Sequence, residues 1–192
     1  MKKLNIKNFV KIISGKYKHT KLKVANIPDL RPTPNKIRET LFNWLKNIWN
    51  ADFDKKHIID LFAGSGAIGF EAASLGVKHI YMIENHIQAI LNMQTTKNKI
   101  NANTINIYHA DSTKFIYTID IKIFDLIILD PPFNSNYLQQ LLPYISSNIS
   151  KESLIYIESN NKIESDIFLL DPIKQSKFGN VNFGLFRTRQ IN

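Results

Sequence analysis

Asp60-Leu-Phe-Ala-Gly64-Ser-Gly66-Ala-Ile-Gly69 sets a glycine-rich turn between two segments of different periodicity. Before it, His57 to Phe62 is an apolar run of strand length; after it, Gly66 to Leu75 has helical spacing and ends at Gly76. A turn of this kind brings backbone close to a ligand and offers it the free N–H groups of the helix behind. The alternation continues outward. Strands are expected at His79 to Ile83, Ile105 to His109, Phe124 to Leu129 and Leu154 to Ile157, with helices from an Asn85 cap to about Lys99 and across Tyr137 to Ile149. This order predicts an α/β fold, a mostly parallel sheet covered on both faces. Ile173 to Phe178, a Gly179-Asn180 turn and Val181 to Thr188 read instead as a hairpin, so the last strand is expected to be antiparallel. Upstream, Thr33 is placed to cap a helix with Pro34 in its first position and Ile37, Leu41, Trp44, Leu45 and Ile48 along one face.

The residues before that helix read as short strands about a Ser14-Gly15 turn, closed by a loop at Ile27-Pro28-Asp29. The expected organisation is a small extension over residues 1–30 and one domain over 31–192. Net charge is +9, and eleven of the 25 Lys and Arg lie in the first 38 residues against a single acid, Asp29, so the remainder is close to neutral. A basic segment on a neutral body suits a polyanionic partner, and without an apolar stripe beside it nucleic acid is favoured over membrane. The plain alternative is a solubilising tail. The chain has no cysteine, which excludes disulfides and thiolate metal sites. His19, His57, His79, His86 and His109 show no ligand spacing, so no metal is expected. Apolar runs such as Ile123 to Leu129 are far shorter than a membrane span, and the basic start lacks a secretory apolar core. A cytoplasmic protein is the expectation.

Phe62, Gly64, Ser65 and Gly66 are expected to line a cofactor site with Asp60. The pattern formally contains a dinucleotide fingerprint, and Glu84 lies near the spacing of its ribose-binding acid. Asp60, however, stands where it would repel a pyrophosphate. It suits the ammonium of S-adenosylmethionine, whose ribose diol Glu84 could grip, while Asp111 is placed for the adenine amine. The plain alternatives are solvated strand-end acids for Asp60 and Glu84, and a helix cap for Asp111. After the most apolar strand comes Asp130-Pro131-Pro132-Phe133. The prolines fix the backbone and remove donors, so the Asp130 carboxylate and the Pro131 carbonyl present acceptors to an amino group, and Phe133 can stack on a base. Positioning would then supply most of the rate. An Asp-Pro turn closing a buried strand is the bland reading.

Three blocks together, Arg31 to Leu45 (RPTPNKIRETLFNWL), Asp60 to Gly69 and Asp130 to Phe133, resemble the bacterial RsmD-type small-subunit ribosomal RNA guanine-N2 methyltransferases. The likeness runs from Ile13-Ser-Gly15 through Leu154-Ile-Tyr-Ile-Glu158 to the closing hairpin, and the first block discriminates, since the other two occur widely. The resemblance implies a Rossmann-like class I methyltransferase with a seven-stranded sheet, S-adenosylmethionine as methyl donor, and a guanine of ribosomal RNA on an assembled or nearly assembled small subunit. It implies that Asp130 and Phe133 hold the base with Arg31 and Arg38 beside them. With the charge asymmetry, this makes Lys16, Lys18, Lys21, Lys23, Arg31 and Arg38 the candidate RNA contacts of a monomer. Pro34-Asn35 stands where the family more often has Thr-Asp, and Asn85-His86 follows Glu84 where an acid is common. The competing readings are an adenine-N6 or protein glutamine methyltransferase, a dinucleotide-dependent oxidoreductase, and a non-catalytic RNA-binding module.

Overall fold

The structure, a computed structural model, describes residues 9–27 and 33–189. Chain order is β1 (Phe9–Lys11), β2 (Lys21–Lys23), α1 (Asn35–Ile48), β3 (His57–Asp60), α2 (Ala67–Ser74), β4 (His79–Glu84), α3 (Ile87–Ile100), β5 (Ile105–His109), α4 (Ser112–Phe115), β6 (Leu126–Leu129), α5 (Tyr137–Asn148), β7 (Leu154–Ser159), β8 (Leu170–Phe178) and β9 (Val181–Thr188). β3 to β9 form one seven-stranded sheet in the order β5-β4-β3-β6-β7-β9-β8. The first five neighbours pair in parallel, and β9 runs antiparallel to both β7 and β8. The mostly parallel α/β sheet expected from the alternation, with its antiparallel last strand, and the Rossmann-like fold that the resemblance implies are therefore present.

β6 is central because all four of its residues, Leu-Ile-Ile-Leu, are apolar and fully buried, as a strand covered on both faces requires. Alternate residues feed different cores: Ile58, Ile128 and Tyr156 pack with α1 and α2 on one face, Ile59, Ile127 and Ile157 with α5 on the other. Val10, Ile12, Leu22 and Val24 of the N-terminal hairpin enter the first of these cores. β8 is an edge strand, largely exposed.

Two helix starts differ from the sequence reading. Pro34, not Thr33, is the N-cap of α1, because the Thr33 hydroxyl is drawn to Asp130. His86, not Asn85, precedes α3, and the backbone N–H groups of both are already taken by Glu84. Pro28, Asp29 and Arg31 lie outside the described residues.

Candidate active site

β3, β4 and β6 end on one edge of the sheet, and their last residues open a cavity of about 520 Å³. Every residue expected at the cofactor except Gly66 lines it: Asp60, Phe62, Gly64, Ser65, Glu84 and Asp111. Asp130, Pro131 and Phe133 line it as well. Gly66 supports the wall from behind. Its φ of +76° is left-handed, and a Cβ there would meet Phe70 at 2.9 Å and Met82 at 3.0 Å, so glycine alone fits the turn.

Glu84 holds this turn in shape. Its Oε2 accepts the Gly64 N–H at 2.8 Å, and its Oε1 accepts those of Asn85 and His86 at 2.9 and 2.8 Å. With Oε1 doubly engaged, Oε2 keeps one lone pair for a ligand hydroxyl. Asp111 lies at the cavity but also caps α4, accepting from Thr113 N at 2.9 Å and Thr113 Oγ1 at 2.7 Å. The helix-cap reading of that residue therefore holds, and its carboxylate also lies where the cavity opens. Phe62 packs on Tyr137 with ring centroids 5.3 Å apart, which fixes one side wall.

Asp60 and Asp130 make the lining acidic where their strands end. Asp60 pairs with Ile128 and Ile128 with Tyr156, so Asp130 and Glu158, each two residues further along its chain segment, leave neighbouring strands on the same face as Asp60. Among the described residues no Lys, Arg or His pairs with any of the three. Burial, then the neighbouring Asp130 charge, pushes Asp60 up to about 8. Burial raises Asp130 to about 6 against the opposing Thr33 hydrogen bond. Glu158 is pushed well above the carboxylate range by burial and by Asp130, although Tyr156 Oη donates to its Oε1 at 2.9 Å. A cluster of carboxyl groups short of positive charge fits a cationic ligand and opposes a pyrophosphate. The Pro132 carbonyl accepts from Ser135 N at 3.0 Å and Oγ at 2.6 Å, whereas no donor reaches the Pro131 carbonyl among the described residues.

Lys16, Lys18, Lys21 and Lys23 are exposed, as an RNA surface requires. Lys16 lies at the far end of α2 from the cavity, its N–H donating to Ser74 O at 2.8 Å. Arg38 corrects the sequence reading. It is fully buried, bridged to Glu71 at 3.3 Å, and donates to Lys11 O at 2.9 Å and Asn35 Oδ1 at 2.7 Å, so it has no surface to offer a phosphate. Glu71, unmarked in the sequence reading, also accepts the N–H groups of Ile13 and Ser14, each at 2.8 Å, and joins the N-terminal hairpin to α1 and α2. Its signal was a lone carboxylate among Phe70, Ala72 and Ala73 in a helix buried on all sides. Asn134, Tyr137 and Asn160 line the cavity too, with no motif to mark them.

The family described as Conserved hypothetical protein 95 matches residues 10–187 of this chain. The Ribosomal RNA small subunit methyltransferase D of Buchnera aphidicola subsp. Baizongia pistaciae is 38% identical over 133 residues, 69% of this chain and 66% of that protein, so the match spans just under two thirds of the relative's length. The Escherichia coli protein yhhF, described as a candidate methyltransferase, superposes with a TM-score of 0.78 at 27% identity, covering 95% of this chain and 99% of its own. An RNA methyltransferase from Salinibacter ruber, solved in complex with S-adenosyl-L-homocysteine, shares the fold with a TM-score of 0.64 at 16% identity over 84% of this chain and 96% of its own. The chain belongs to the Conserved hypothetical protein 95 family, the RsmD family of the small-subunit ribosomal RNA methyltransferase D proteins.

Proposed function

We propose that this protein transfers a methyl group from S-adenosylmethionine to the exocyclic N2 amine of a guanine in small-subunit ribosomal RNA. The observation that carries the reading is the pair of carboxyl groups Asp60 and Asp130 lining the cavity beside the glycine turn, with Glu158 buried on the same sheet face, none of them paired with a protein cation among the described residues. It favours a positively charged ligand over a dinucleotide. The ligand named for the Salinibacter ruber neighbour and the names of the relatives point the same way.

When bound, the cofactor supplies an electrophilic methyl on a sulfonium that loses its charge on transfer. The chain's own residues bind, orient and take up a proton. Asp60 faces the ammonium and Glu84 Oε2 a ribose hydroxyl. Asp130 and the Pro131 carbonyl accept the two N–H groups of the target amine, and Phe133 stacks on the base. Thr33 holds Asp130 Oδ2 at 3.0 Å, which fixes the carboxylate while the amine docks. The amine nitrogen gains a bond and sheds a proton, and Asp130, raised to about 6, is suited to take it. Lys16, Lys18, Lys21, Lys23 and Arg31 serve as phosphate contacts of a cytoplasmic monomer acting on the assembled or nearly assembled subunit.

The test is incubation with S-adenosylmethionine and small subunits from cells lacking this protein, followed by nucleoside mass spectrometry. N2-methylguanosine is expected. N6-methyladenosine would move the target to adenine, and a thermal shift with NAD but none with S-adenosylmethionine would contradict the cofactor reading.

A further inference from the structure

We propose that the tip of the β8–β9 hairpin, Lys177 and Phe178, is a second RNA-contacting arm that holds an unpaired nucleotide flanking the target. The inference rests on the RNA reading above and adds to it a surface outside the basic N-terminal segment.

Its position comes from strand direction. β9 runs antiparallel to β7 with Asn182 opposite Ser159, so the turn joining β8 to β9 projects at the carboxyl edge of the sheet, where the cavity opens. Asn182 Nδ2 donates to Asn160 O at 3.3 Å, and Asn160 lines the cavity, so the hairpin is tied directly to its rim. β6 and β8 are separated by β7 and β9, three strand spacings or about 14 Å, which sets Phe178 a short way along a strand whose target base sits by Phe133.

The chemistry at that tip suits single-stranded RNA. Phe178 is 46% exposed and lies outside both buried clusters, so much of its ring is open to solvent at the hairpin tip. Phe133, the exposed aromatic of the target motif, is 40% exposed at the same edge. Unpaired bases stack on aromatic side chains, and neighbouring lysines meet the phosphates between them. Lys177 faces Asn182 across the hairpin and Lys162 follows β7; both are exposed. Asp166 and Asp171 are gathered by Arg189, at 2.7 and 2.8 Å, at the opposite end of β8, away from the tip. A guarded sheet edge would account for the lysines alone. It gives no reason for an exposed phenylalanine.

The experiment measures methylation of small subunits by wild type, Phe178→Ala, Phe178→Leu, Phe178→Tyr and Lys177→Ala at several salt concentrations. Phe178→Ala and Phe178→Leu should raise KM for RNA about tenfold, the scale of one lost stacking contact, with kcat and S-adenosylmethionine affinity unchanged. Phe178→Tyr should restore it, since tyrosine keeps the ring. Lys177→Ala should reduce the log–log salt slope by about 0.7. Wild-type KM in Phe178→Ala, or full rescue by leucine, overturns stacking; an unchanged slope in Lys177→Ala overturns the phosphate contact. Failure of the RNA reading itself is distinguishable, because wild type would then methylate no RNA in the same assay.

Discussion

Thr33 and Asp130 lie 97 residues apart in the chain and are joined by a 3.0 Å hydrogen bond from the threonine hydroxyl to the carboxylate Oδ2. The bond couples the start of α1 to the Asp-Pro-Pro-Phe loop and opposes the burial that raises Asp130. Thr33→Val keeps the shape and removes the donor. It should lower kcat by ~10-fold or more, as for loss of a hydrogen bond to a charged group, and move the acid limb of the pH–rate profile upward. Thr33→Ser should keep both near wild type. An unmoved limb in the valine variant would separate Thr33 from the chemistry.

With Asp60 facing the ammonium as proposed, cofactor binding is expected to depend on pH. Its carboxyl titrates at about 8 in the ligand-free fold, so at lower pH it is neutral and cannot pair with an ammonium. Affinity for S-adenosylmethionine should therefore rise with pH, by at most roughly tenfold per unit, up to about 8 and then level off. Between 3.8 and about 8 the folded state holds a proton that the unfolded chain has lost, so this group makes the ligand-free protein less stable as pH rises. Asp60→Asn should flatten both dependences, read by calorimetry and by thermal unfolding across that range.

Glu84 is expected to serve the cofactor and the turn together. Glu84→Ala should weaken S-adenosylmethionine binding by about 1.5 to 3 kcal/mol. It should also destabilise the ligand-free chain, because the N–H groups of Gly64, Asn85 and His86 lose their acceptor. Unchanged calorimetric affinity in a folded variant would remove Glu84 from the cofactor site.

Glu71→Ala leaves the Arg38 guanidinium buried without its partner and frees the hairpin N–H groups at Ile13 and Ser14. A loss of ~3 to 5 kcal/mol in urea unfolding is expected for breaking such a pair from one side. Truncating an exposed lysine such as Lys18 should cost within about 0.5 kcal/mol. A Glu71→Ala loss as small as that of the lysine would contradict the assignment of the pair as the hairpin's anchor.

The sheet was legible because its strands announce themselves: Leu126 to Leu129 is apolar on every residue, and Gly76 and Gly179 punctuate the chain at true turns. The cavity residues were legible because glycines and strand-end acids follow one another at fixed spacing along an α/β chain. What escaped the sequence reading are pairings between distant segments. Nothing local in Arg38 distinguishes a surface arginine of a basic segment from one enclosed by Glu71, 33 residues on. Thr33 reads as a cap for the same reason, since its partner lies in the loop after β6, 97 residues on. Glu158 and Tyr156 sit in a strand to which the likeness assigns no role, and only the register beside Ile128 and Leu129 brings them to Asp130.

In the proposed mechanism Asp130 orients the target amine while the glycine turn and its acids hold the cofactor. Single-turnover methyl transfer to small subunits, with S-adenosylmethionine affinity measured on the same preparations, tests it most directly for Asp130→Ala. Turnover should fall at least ~100-fold, the scale of a lost positioning contact, with cofactor affinity close to wild type. Transfer at the wild-type rate would contradict the claim, and so would a fall explained wholly by lost cofactor binding.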